Sequence, residues 1–154
     1  MMEGSRKKVV WSVAFILVAA AAVVLAQSEE GAVAYRQRIM SANGASMGAI
    51  NDILKFKLPV SNEHIAAHAE TIHRESQLLA DAFKAQVTAG ETRALPEIWQ
   101  RWDEFVAAAD AMGQASAKLA EVARAGDAQA VMAGVREVGA TCGGCHDVFR
   151  KPNE

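Results

Sequence analysis

Beyond residue 30 the hydrophobic positions recur at alternating steps of four and three, in four separate runs. The first stripe is Met40, Gly44, Met47, Asn51 and Leu54. The second is Ile65, Ala69, Ile72, Ser76, Leu79 and Phe83. The third is Ile98, Trp102, Phe105, Ala109, Met112, Ser116 and Leu119. The fourth is Val131, Val135, Val138, Cys142, Cys145 and Phe149. This spacing is the narrow seam of helices that cross at about 20° in left-handed bundles. No stretch alternates with period two, so no strand is expected. The chain breakers agree with the division. Pro59 follows the first run, and Ser61 or Asn62 is placed to cap the second with a side-chain oxygen. The segment 89–92 separates the second run from the third. Pro96 stands where a first-turn proline is tolerated, Gly126-Asp127 separates the third run from the fourth, and Pro152 ends it. Four helices with short connections predict an all-α, antiparallel up-down-up-down four-helix bundle.

The N-terminus has a different pattern. Arg6, Lys7 and Lys8 precede an apolar stretch over 9–26 in which Ser12 is the one polar residue, and Gln27-Ser28-Glu29-Glu30 then turns polar. A charged start, an apolar middle and a small-residue exit describe a secretory signal peptide over 1–26. Its length would also suffice for a retained membrane anchor. Either way, residues 27–154 form one domain outside the cytoplasm, with a bacterial periplasm the simplest location. The net charge of −2 includes no basic block. Without the leader, thirteen basic residues face seventeen acidic ones, a balance of −4. That balance argues against nucleic acid as a partner, and gives no electrostatic attraction to anionic lipid. From residue 27 onward there are 26 alanines, and the whole chain has three prolines, which favours helix over sheet.

One motif carries chemistry. Cys142-Gly143-Gly144-Cys145-His146 has the Cys-x-x-Cys-His spacing of c-type haem attachment. On a helix the two cysteines lie at i and i+3, and His146 is one turn beyond Cys142, so all three share a face. Two thiols can then add to two vinyl groups on one porphyrin edge while the imidazole reaches the iron. Gly143 and Gly144 keep bulk away from that edge. Three other readings compete. A disulfide between such near neighbours closes almost no loop and stabilises little. A redox-active dithiol is favoured at a helix N-terminus, whereas these cysteines lie near a C-terminus. A zinc site needs a fourth ligand that the motif does not supply.

With this motif on the last helix of an exported four-helix bundle, the sequence resembles the cytochrome c′ family, the class II c-type cytochromes. The matching stretches are Tyr35-Arg36-Gln37-Arg38-Ile39-Met40, Asn43-Gly44, Met47-Gly48, Pro96-Glu97-Ile98-Trp99, and Val138-Gly139 through the haem motif to Phe149-Arg150. The resemblance implies one covalent haem c inside the bundle, with Cys142 and Cys145 as thioether attachments and His146 as the proximal ligand. It also implies that Arg150 lies near the proximal face and Arg36 near a haem propionate. Met40 occupies the family's distal position. The run Met40-Ser41-Ala42-Asn43-Gly44 looks more like the low-spin members, in which a methionine is the sixth ligand, and thioether sulfur raises the reduction potential. The expected function is therefore one-electron transfer with redox partner proteins, without enzymatic turnover. The alternative is a five-coordinate, high-spin haem that binds nitric oxide or carbon monoxide, with Met40 as a core filler. Gly44 and Gly48 permit close helix approach, and the family often forms homodimers through its first two helices. Trp99, Trp102 and Phe105 are expected in the core and haem wall. His64 and His68, at i and i+4, lie off the apolar stripe and are read as a solvent flank rather than a metal site, and His73 is weighed with them.

Overall fold

In a computed structural model the described residues form six helices: α1 (Glu3–Phe56), α2 (Asn62–Ser76), α3 (Leu79–Phe83), α4 (Glu97–Gln100), α5 (Trp102–Ala125) and α6 (Ala128–Phe149). Side chains are described for residues 28–88 and 90–152, and the leader expected over 1–26 lies outside them. The four bundle members are α1, α2 extended by α3, α5 preceded by α4, and α6. Among the described residues no strand occurs, and the single β-bridge joins Ala94 to Arg150.

The helix ends follow from local chemistry. Gly126 ends α5 in the left-handed conformation at φ 78°, which glycine adopts without a Cβ penalty. Asp127 then caps α6 by accepting bonds of 3.0 Å from the backbone N–H groups of Gln129 and Ala130. Pro96 is the N-cap residue of α4, one position before the first-turn site expected for it. Ser61 is the N-cap residue of α2 but makes no side-chain cap bond. Its carbonyl, not its hydroxyl, accepts from His64 N–H at 3.0 Å.

The core runs along the expected stripes of α2, α5 and α6. Ile65, Ile72, Leu119, Val131 and Val138 are fully buried. The first stripe needs correction by about one residue. Ile39, Asn43, Ser46 and Ile50 are buried, whereas Gly44 and Asn51 are exposed and Met40, Met47 and Leu54 are half-buried. The two isoleucines bring far more apolar area than a glycine or an asparagine can, and they set the rotation of α1. The packing is uneven around the bundle. Helix α2 lies against α1 and α5, and α5 against α6, while α1 and α6 stand apart at the backbone level.

Candidate haem site

The gap between α1 and α6 opens into a cavity of about 470 Å³. That falls within the range of about 300–1,000 Å³ usual for cofactor sites. One wall is α1, with Val33, Arg36, Met40 and Ser41. The opposite wall is the end of α6, with Cys145, His146, Phe149 and Arg150. Phe83 and Phe105 close the cavity from the side of α3 and α5. Their rings pack at 5.1 Å, and Phe105 meets Phe149 edge-on at 5.5 Å. The register of the two walls is set further up the bundle. There the terminal methyl of Met47 lies 3.8 Å from where Gly139 would carry a Cβ. Since α1 and α6 run antiparallel, seven residues back along α1 and seven on along α6 bring Met40 level with His146.

The donor set on α6 suits covalent haem. Cys142 and Cys145 are free thiols, both half-buried. Burial pushes the Cys142 thiol up, and burial together with the neighbouring Cys142 pushes Cys145 up to about 11. Both are thus S–H at neutral pH, the form whose addition across a vinyl group conserves atoms. The His146 imidazole is held below its ordinary value, first by burial and then by the positive charges of Arg150 and Arg93. It is neutral at pH 7, as a metal ligand must be. A Cβ at Gly143 or Gly144 would meet no protein atom within 4 Å, so the space beside the two cysteines is open.

Arg93 is a neighbour that the sequence did not single out. Leu95 N–H donates to Phe149 O at 3.0 Å and Lys151 N–H to Arg93 O at 2.8 Å. This short pairing folds the loop before α4 onto the end of α6. Arg93 and Arg150 thereby reach the same cavity. Nothing local in a loop 53 residues upstream of His146 announces that pairing.

Arg36 lines the cavity, but much of its guanidinium is already engaged. Nε donates to Ala82 O at 2.8 Å, Nη1 to Val87 O at 3.1 Å and Nη2 to Ala85 O at 2.5 Å. It also stacks over the Phe83 ring at 4.6 Å. Three of its five N–H groups tie α1 to the end of α3 and the segment that follows it, and two are left for another acceptor. Trp99 supports the same segment by donating Nε1–H to Phe83 O at 2.7 Å. Trp99 and Trp102 are half-buried and Phe105 is buried, as expected of a packed wall. His64 is exposed and His68 half-buried. His73 Nδ1 pairs with Gly113 O at 2.9 Å, and no group of three or more metal-ligating side chains occurs among the described residues.

Comparison with known proteins agrees with this geometry. A family model described as Cytochrome C' matches residues 31–150. Cytochrome c' of Pararhodospirillum photometricum is 38% identical over 126 residues, covering 80% of this chain and 99% of the relative. The structure of cytochrome c prime from Shewanella frigidimarina superposes with a TM-score of 0.74 at 28% identity, over 80% of this chain and 97% of the other. A variant of cytochrome c prime from Alcaligenes xylosoxidans, solved as its nitric oxide complex, gives 0.70 at 33% identity over the same shares, 80% and 97%. With its four-helix bundle and the haem motif facing an apolar cavity, the chain belongs to the cytochrome c′ family and binds one covalent haem c.

Proposed function

We propose that this cytochrome binds a small diatomic gas, nitric oxide or carbon monoxide, on the α1 side of its haem. The observation that carries the reading is the apolar cavity between Met40 and His146, in a chain whose structural relatives include a nitric oxide complex. Cys142 and Cys145 fasten the group by thioether bonds, and neutral His146 ligates iron from α6. The bound haem supplies the iron, with its affinity for diatomic ligands and its one-electron redox chemistry. Phe83, Phe105 and Phe149 keep water from the site. Two N–H groups of Arg36, with the guanidiniums of Arg93 and Arg150 on the same cavity, would donate to the haem propionates. Met40 covers the ligand side as a flexible wall rather than as a bond to iron. Binding, not catalysis, is the function in this reading. The periplasm is the location, reached through the leader. Gly44 and Gly48 are exposed, and a Cβ at either would meet nothing within 4 Å, so this face of α1 is open to a second copy.

A second reading rests on Met40 itself. Its thioether lies in the cavity level with His146, and such a sulfur is a competent axial ligand. Ligation would close the site and leave an electron carrier serving redox partner proteins, as expected from the run that begins at Met40. Titrating the ferrous protein with carbon monoxide distinguishes the two. Gas binding requires direct uptake by the wild type, whereas a Met40–iron bond resists it until Met40→Ala removes the sulfur.

A further inference from the structure

The segment between α3 and α4 does more than connect them. Thr92, Arg93 and Ala94 line the cavity together, and hydrogen bonds hold the segment to both of its walls. On the α1 side Gln37 donates Nε2–H to Glu91 O at 2.8 Å. On the α6 side Leu95 N–H donates to Phe149 O and Lys151 N–H to Arg93 O. Arg93 adds a bond of its own, from Nη2 to Lys151 O at 2.5 Å. The segment thus fixes a guanidinium beside the haem-bearing end of α6, near enough for its charge to act on the His146 imidazole. The other charged groups that act on His146 are Arg150 and Asp147. These two are opposite in sign and offset one another in count. Among the described residues no carboxylate pairs with Arg93, so its charge is the surplus at this end of the cavity.

We propose that Arg93 sets the reduction potential of the haem, its guanidinium charge favouring the ferrous form. Reduction adds one electron, and a fixed positive charge beside the group stabilises the added negative charge. The interaction carries further through an apolar cavity than through water, and surrounding charge and burial are among a protein's levers on such potentials. Of the bonds that hold the segment, only the one from Nη2 uses the Arg93 side chain. The charge can therefore be changed while the rest of the attachment stays. The inference rests on the covalent haem and holds whether a gas or Met40 occupies the α1 side.

The measurement is the equilibrium of the holoprotein with a redox dye of known potential, at pH 7 and without gas. Wild type is compared with Arg93→Lys, Arg93→Gln and Arg93→Glu. Removing the charge in Arg93→Gln should shift the equilibrium about 3- to 10-fold toward the ferric form. Arg93→Glu reverses the charge and should shift it by about the square of that factor. Arg93→Lys keeps the charge and should stay within about 2-fold of wild type. The shifts should shrink between about 0.01 M and about 1 M salt, as the Debye length falls from about 30 Å to about 3 Å. An Arg93→Gln protein that matches wild type would overturn the proposal. So would an Arg93→Lys protein that moves as far as Arg93→Gln, which would assign the effect to the bond with Lys151 rather than to charge. A shift that salt leaves unchanged and that tracks a lowered urea midpoint would overturn it as well. None of these outcomes bears on the gas-binding reading, which the carbon monoxide titration tests separately.

Discussion

Replacing Arg36 with Leu removes three hydrogen bonds at once and leaves the carbonyls of Ala82, Ala85 and Val87 without their donor. Hydrogen bonds from a charged donor contribute about 1.5–3 kcal/mol each. Their sum overstates the loss, because burial already penalises the cation, as its lowered pKa indicates. Leaving three carbonyls unpaired costs about 1–3 kcal/mol each, offset in part by relief of the cation's burial, so about 3–5 kcal/mol is the expected destabilisation. For a domain of this size it corresponds to about 10–20 °C in Tm. Arg36→Lys keeps the charge but replaces a planar fork with a point donor, so roughly half the loss should remain. Urea unfolding of the holoprotein at pH 7, followed by far-ultraviolet circular dichroism, provides the assay. A loss below about 1 kcal/mol for Arg36→Leu would refute the argument that Arg36 staples α1 to the end of α3 and the segment that follows it. A changed haem spectrum with unchanged stability would assign Arg36 to the haem alone.

Converting Cys142 and Cys145 to Ala should abolish covalent haem and yield a loose or unfolded apoprotein. Without the group, the apolar walls of the 470 Å³ cavity, Phe83, Phe105 and Phe149 among them, are left facing water, and the burial that holds α1 against α6 is lost. Haem retained through acid–acetone extraction of that variant would contradict this. Asp127→Ala deletes both cap bonds of α6 and should cost about 0.5–2 kcal/mol, read as a lower urea midpoint with an unchanged slope.

The bundle was legible in the sequence because its apolar stripes, prolines and glycine breaks point the same way. Three stripes matched the buried residues of α2, α5 and α6. The first did not, since Met40, Gly44 and Met47 make a plausible seam while Ile39 and Ile50, one position earlier, carry more apolar area. The haem motif was equally plain: Cys142, Cys145 and His146 are close in sequence and share one helical face. What the sequence hid is whatever depends on contacts between distant segments. Arg93 reaches the cavity through a backbone pairing with Lys151, and Arg36 is absorbed by three carbonyls that no local pattern marks.

In the proposed function His146 holds the iron and the α1 side is left to a gas, with Met40 as a wall. The most direct test is a carbon monoxide titration of the ferrous wild-type protein, with the optical spectrum of the oxidised form recorded first. The oxidised protein should be high-spin, carbon monoxide should bind without Met40 being removed, and Met40→Ala should change the rate of uptake more than the spin state. A low-spin oxidised spectrum with the weak near-infrared absorption of a methionine–iron bond, and no uptake until Met40 is replaced, would contradict the claim and make electron transfer the function.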